Sequence, residues 1–219
     1  MRILWYGHAA FLIETEGTRI ILDPYTSADA GSYAPIADPA DLVVASHENA
    51  KYHSGLSEIV PPFQYLLGTE FPSEGVEALG IRFEAIPVFE TPEKLPGDEV
   101  TILQFRAEGL HVAFLGDLGH ALSPEELTRL GRPEILLFPA GGPPTIDFPL
   151  IPDLIAALDP KLILPMHYLT PKINLALQPV ERFLECLPDW PVDRVEASSI
   201  TVDPSNLGSR RIVVLDSAR

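Results

Sequence analysis

Residues 111–131, HVAFLGDLGHALSPEELTRLG, join two kinds of sequence through one carboxylate. His111–Leu115 is a run of β-formers that stops at Gly116-Asp117. Beyond it, Ser123-Pro124-Glu125-Glu126 places Ser at a helix N-cap, Pro at the first helical position and Glu at the third. That is the pattern of a capping box. The spacing predicts a helix to about Leu130, ended by Gly131.

Working outward, the chain upstream is β-rich. Arg2–Tyr6, Phe11–Thr15 and Arg19–Leu22 read as short strands, with a hairpin signal at Glu16-Gly17 and a stop at Asp23-Pro24. Residues 25–40 read as a loop, and 41–45 as a buried strand ending in Ser46-His47-Glu48-Asn49. Ile81–Val88 and Val100–Phe105 are further strands, and Glu108-Gly109 a second turn ahead of Asp117. This echo of the first unit suggests two β-rich pseudo-halves, about 1–110 and 111–219, within a single domain of residues 1–219. Downstream, Glu134–Phe138 and Leu162–Leu164 read as strands, and Asp147–Leu158 and Pro179–Leu187 as helices. Val195–Val202 and Arg211–Leu215 read as closing strands. Strands throughout, with helices gathered in the second half, indicate a layered α/β domain.

Composition bounds the function. With 46% hydrophobic residues in 219, the chain can build one large core. Its net charge of −16 disfavours nucleic-acid and anionic-membrane partners. No stretch reaches the about 18 apolar residues of a membrane span. Glu14 and Glu16 interrupt any signal-peptide core, so a cytoplasmic location is expected. The single Cys186 excludes an internal disulfide and a thiolate zinc knuckle, and reads as half-buried filler on a helix.

Six histidines carry the chemical signal. A lone histidine is more often structural than a ligand. Placement changes this for His47 and His167, which, like Asp117, follow directly on apolar β-runs and can meet at one sheet edge. His111, just after a turn, reads as exposed and without a role.

At these residues the chain resembles the metallo-β-lactamase superfamily, in the branch of UlaG-like proteins and zinc-dependent hydrolases. The matching segments are WYGHAAFLIETEGTRIILDP at 5–24, LVVASHE at 42–48, FLGDLGHALSPEEL at 114–127 and PMHYLTPK at 165–172. The resemblance implies a four-layer αββα sandwich with its site at one edge of two sheets. It also implies a His-x-His-x-Asp-His ligand motif, which here reads His47, Asn49, Lys51, Tyr52, with His53 one place beyond the register. Glu90 stands where a further family histidine is expected, while Asp117 and His167 match.

The expected first metal site is therefore His47, Glu90 and Asp117, with Asn49 offering a carbonyl oxygen. Such a mixed imidazole and carboxylate set suits Zn, with Mn or Fe as alternatives. The second would face Lys51, Tyr52, His167 and Asp117. A lysine ammonium cannot ligate, so one metal at most is expected, with Lys51 replacing the other as an ion-pair partner of Asp117 and Glu90. His167 is expected as a ligand or proton donor, Tyr52 as a general acid, and His53 as a ligand if the loop bulges by one residue. Tyr52 and Tyr168 also read as packing residues. His8 and His120 are expected to orient the site, and Gly141–Pro144 to form a rigid loop nearby.

Two functions follow. One is a metal-dependent hydrolase of an ester, lactone or phosphoester. The other is a metal-free relative that binds a small ligand or a protein. A nuclease is disfavoured by the charge, and association into a homo-oligomer is left open.

Overall fold

A computed structural model describes residues 1–219. Two sheets pack face to face. The first contains β1 (Arg2–Gly7), β2 (Ala10–Thr15), β3 (Thr18–Leu22), β4 (Leu42–Ala45) and β5 (Gln64–Leu67), preceded at its edge by β13 (Ser199–Thr201), in the order β13-β1-β2-β3-β4-β5. The second runs β12-β14-β11-β10-β9-β8-β7-β6. Its strands are β6 (Val76–Ala78), β7 (Ile81–Phe89), β8 (Glu99–Ala107), β9 (Leu110–Phe114), β10 (Ile135–Pro139), β11 (Leu162–Met166), β12 (Val192–Arg194) and β14 (Arg211–Val214). The helices are α1 (Ser27–Ala30), α2 (Pro124–Leu130), α3 (Ile151–Leu158) and α4 (Val180–Glu185).

Strand periodicity explains the layers. Ile3 and Trp5 of β1, Phe11 and Ile13 of β2, Ile20 and Leu22 of β3, and Leu42 and Val44 of β4 belong to a core of 52 buried residues shared with the second sheet. Their alternates Tyr6, Ala10, Leu12, Ile21 and Val43 enter a separate 13-residue cluster on the outer face. Period-2 side chains on a strand can serve two cores only in this way. The outer cover of the first sheet is mostly the 25–40 segment, through Tyr25, Tyr33 and Ile36, and holds only the one-turn α1. The αββα order thus stands with one outer layer reduced largely to loop. On the second sheet, α3 buries Ile151, Leu154, Ile155 and Leu158.

The capping box of α2 forms as its sequence requires: Ser123 Oγ accepts from Glu126 N at 3.2 Å, and Glu126 Oε2 from Ser123 N at 2.6 Å. Elsewhere the structure moves boundaries. The chain first changes sheet between β5 and β6. The two Glu-Gly turns nevertheless meet, with Glu16 N donating to Glu108 Oε1 at 3.2 Å and Glu108 N to Glu16 Oε1 at 2.9 Å. Of the expected 195–202 strand only Ser199–Thr201 forms, in the first sheet, while Val192–Arg194 just before it pairs in the second, so the chain crosses between sheets at 195–198. The helix expected from Asp147 begins at Ile151, after a 3₁₀ turn at Phe148–Leu150.

Topology fixes one functional edge. β1, β3 and β4 run in the same direction, as do β7, β9 and β11. Their C-terminal ends deliver His8, Asp23 and His47 from one sheet, and Glu90, Asp117 and His167 from the other. No helix is long and apolar enough to cross a membrane.

Candidate metal centre

Three of the residues at these strand ends have left-handed backbones: His8 at φ 49°, Asp23 at φ 42° and His167 at φ 52°. Each such non-glycine residue costs on the order of 1–2 kcal/mol. Burying one large apolar side chain is worth roughly 1.5–3 kcal/mol, so the core holds the strained turns easily. The turns are also tied together: His167 N donates to His8 O at 2.9 Å, and Trp5 Nε1 to the same carbonyl at 3.0 Å. Close approach does the rest. A Cβ at Gly119 would lie 1.6 Å from Glu90 O, and one at Gly141 would lie 2.2 Å from His167 O. Those two glycines let the neighbouring loops converge.

At the centre stands His53, 1% exposed. Its Nδ1 lies 2.8 Å from Asp23 Oδ2 and its Nε2 2.9 Å from Asp117 Oδ2. Ionised carboxylates only accept, so both ring nitrogens carry protons and His53 is an imidazolium. Burial pulls its pKa down, but Asp117 and Asp23 outweigh that and push it up to about 10. Burial likewise opposes ionisation of Asp117, yet His53 and His167 hold its carboxyl well below the usual range. His8, His47 and His167 are all pulled down, chiefly by burial.

Asp23 is saturated. Beyond His53 it accepts from Ser46 N and Ser46 Oγ, both at 2.6 Å. Since the Ser46 hydrogen goes to Asp23, the 3.0 Å contact of Ser46 Oγ with His47 Nδ1 has the imidazole as donor. His47 Nε2 is thereby left with its lone pair.

Two groups of residues have ligand atoms within 4.8 Å of one another: His8, His53 and His167, and Asp23, His47 and His53. They share His53 and differ in satisfaction. The second is already paired internally through Asp23. Around the first, both ring nitrogens of His8, Nδ1 of His167 and Oδ1 of Asp117 are buried without a hydrogen-bond partner. His167 Nε2 also lies 3.4 Å from Asp117 Oδ1. Buried polar atoms are rarely left unpaired, and a cation among three imidazoles and a carboxylate would engage one ring nitrogen of His8 together with the His167 and Asp117 atoms. The residues therefore fit a metal at His8, His53 and His167, with Asp117 joining as the carboxylate that touches both His53 and His167.

This differs from the set expected from sequence. Glu90 and Asn49 line the adjoining cleft but belong to neither close group. His47 lies beside His53, with ring centroids 4.4 Å apart, in the group already paired. His8, expected only to orient the site, stands among the candidate ligands. Lys51 is exposed and forms no ion pair with Asp117 or Glu90, so the charge it was expected to supply comes from His53. The cause is the Asn49 carbonyl, which accepts from the amides of Tyr52, His53 and Ser54. This tight turn carries Lys51 outward and His53 inward.

His120 keeps a positioning part. Its Nδ1 donates to Ala121 O at 2.8 Å and its Nε2 accepts from Phe89 N at 3.2 Å, which pins the turn that presents Glu90. Tyr168 stacks on Trp5. His111 is buried, not exposed, with Nε2 2.8 Å from Gln104 Oε1.

Beside the centre opens a cleft of about 280 Å³. Asn49, Tyr52, Glu90 and Pro144 form one part of its wall, and Leu175–Leu177 an apolar part. No Lys or Arg lines it. Burial, and then Asp117, raise the Glu90 carboxyl above its usual range.

Comparison with known proteins agrees with this fold. A protein of the metallo-β-lactamase superfamily from Thermotoga maritima superposes with a TM-score of 0.78 at 27% identity, covering 98% of this chain and 97% of its own. A UPF0173 protein from Pyrococcus furiosus is 29% identical over 190 residues, 77% of this chain and 83% of its own length. A UPF0173 metal-dependent hydrolase from Methanopyrus kandleri is 26% identical over 194 residues, 77% of this chain and 84% of its own length. The sequence profile of the beta-lactamase superfamily domain matches residues 2–167, a span that ends on the last candidate ligand. The chain belongs to the metallo-β-lactamase superfamily.

Proposed function

We propose that this chain is a metal-dependent hydrolase of a neutral ester or lactone, with one metal held by His8, His53, His167 and Asp117. The observation that supports it is the convergence of unpaired buried atoms of His8, His167 and Asp117 on one point beside a cleft. A divalent metal there, zinc by donor type, would polarise the scissile carbonyl and supply a water of lowered pKa. Asp23 keeps the Nδ1 proton of His53, which leaves Nε2 as the ligand atom once its proton departs. Glu90, whose carboxyl is raised above its usual range and which lines the cleft, is placed to pass a proton to the leaving alkoxide. Tyr52 and Leu175–Leu177 bound the space for the acyl or alcohol part. Phosphoesters fit less well, because an anionic substrate would face Glu90 and Asp117 with no lysine or arginine to meet it.

One observation favours a second reading. His53 already pairs with both Asp23 and Asp117, so a metal-free small-ligand module has a cationic partner for each buried carboxylate. Elemental analysis of the protein as purified, and after incubation with Zn or Mn, separates the two. About one metal per chain, lost in His167→Ala and accompanied by turnover of p-nitrophenyl esters or lactones, supports the hydrolase. No bound metal under either condition supports the binding module.

A further inference from the structure

A second cleft, of about 380 Å³, shares no residue with the first. Arg82 and Glu84 of β7, Gln104 and Arg106 of β8, His111 of β9 and Arg129 of α2 line it. Its charge runs against the rest of the molecule. The chain carries 31 acidic and 15 basic residues, yet three arginines line this space against a single carboxylate.

The antiparallel register pairs Phe83 with Phe105 and Glu84 with Gln104, which sets Arg82 opposite Arg106. Like charges directly opposed across a sheet are destabilising; on its other side Arg82 faces Glu77 of β6, but Arg106 has no such partner. Carboxylates neutralise it only in part: Arg82 is 3.8 Å from Glu84, while Arg106 and Arg129 form no ion pair.

The floor is polar and fixed. Gln104 and His111 are 5% and 4% exposed. Gln104 Nε2 donates to Glu84 Oε2 at 3.0 Å and to Arg129 O at 3.1 Å, so its Oε1 is the acceptor facing His111 Nε2. That leaves His111 Nδ1 as a lone pair, which accepts from Arg106 at 3.2 Å. Arg129 is anchored by one bond to Ala85 O at 3.1 Å. Each of these two guanidiniums thus commits one donor to the protein and keeps the others for a ligand. Three guanidiniums and one carboxylate match a dianion that offers several oxygens, and arginine forks suit phosphate geometry.

We propose that this cleft binds a small molecule through a phosphate-type dianion, at a site separate from the metal centre. The test is calorimetric titration of the purified full-length chain with pyrophosphate at low salt. One saturable site is expected. Arg106→Gln with Arg129→Gln is expected to weaken it by about tenfold or more, the scale of losing a charge-assisted contact, with the melting temperature as a check on folding. Glu84→Gln is expected to tighten it, and His167→Ala to leave it unchanged. Absent binding, equal binding by the arginine variant, or tighter binding of succinate than of pyrophosphate would overturn the proposal. Binding lost in His167→Ala but kept in the arginine variant would place the anion at the metal centre and overturn it equally.

Discussion

The two clefts solve opposite electrostatic problems with different parts of a strand. The histidine cleft is built from strand ends, where the backbone is free to adopt the left-handed turns at His8, Asp23 and His167. Its deepest groups, His8, Asp23, His53, Asp117 and His167, are only 0–3% exposed, and no lysine or arginine lines the cleft. The arginine cleft is built from strand faces, where alternation places Arg82, Glu84, Gln104 and Arg106 on one side of a sheet without special backbone. Its cations stay exposed, which spares them the desolvation cost of burial. Strand ends thus suit groups whose protonation must be shifted, and strand faces suit charges that must remain unchanged.

The strongest test of that contrast is Asp117→Ala. It removes one candidate ligand and leaves His53 with a single carboxylate. Breaking a buried pair costs about 3–5 kcal/mol. Metal content is expected to fall toward zero and ester turnover by more than about a hundredfold, the upper range for disturbing even a ligand-orienting residue. Pyrophosphate affinity should not change. An Asp117 variant that retains its metal would break the assignment of this residue.

Next in size is substrate charge. Neutral esters or lactones are expected to be hydrolysed at least about tenfold more efficiently than phosphomonoesters of matched size, about 1.4 kcal/mol of discrimination. Glu90→Gln should narrow the gap by removing a carboxylate from the wall, while lowering turnover of poor leaving groups. Equal kcat/KM values for the two substrate classes would show that the cleft's lack of cations does not set selectivity.

The pH dependence of the metal-free chain follows from the same groups. His53 keeps its proton in the fold up to about pH 10, whereas a free imidazole releases it near about 6.5. Its stabilisation is complete below about 6.5 and is lost as pH rises through the folded value. His8, His47 and His167 act in the other direction, because unfolding lets them take up protons on the acid side. Buried His111 adds to that acid limb, as does Asp117, whose stabilisation is lost as pH falls. The melting temperature in EDTA is therefore expected to peak near about pH 6.5. His53→Asn should flatten the alkaline side and also weaken the acid limb, since His53 helps hold the Asp117 carboxyl low; an unchanged alkaline limb would refute the charge assigned to His53.

The sequence exposed the strand ends because apolar β-runs stop abruptly at His47, Asp117 and His167. It offered His53 only on the condition of a one-residue bulge, because a ligand register counted along a loop assumes a loop conformation. Here three amides gather on one Asn49 carbonyl, and that turn cannot be read from residue types. His8 was visible as a residue but not as a candidate ligand, since its neighbours His53 and His167 are distant in sequence and meet it only through the sheet order. The short edge strands β5 and β6 lack both length and a clean burial pattern, and no periodicity announced them. The arginine cleft left a different trace: Arg82-x-Glu84 and Gln104-x-Arg106 share the period of a strand face, but their pairing needs the register.

The smallest expected effect concerns the one element that was legible residue by residue. Ser123 and Glu126 cap α2, whose last turn carries Arg129 to the arginine cleft. Ser123→Ala removes the acceptor for Glu126 N and should cost about 1 kcal/mol. For a chain of this size that shifts the melting temperature by about 2–4 °C. The cap lies at the far end of the helix from Arg129, and Arg129 has its own bonds to the sheet through Ala85 O and Gln104. Pyrophosphate affinity should therefore fall by less than about twofold, well under the tenfold step of the arginine variant. A larger loss would mean that the cleft depends on helix order rather than on its guanidiniums, and would bring the two clefts closer in design than their residues suggest.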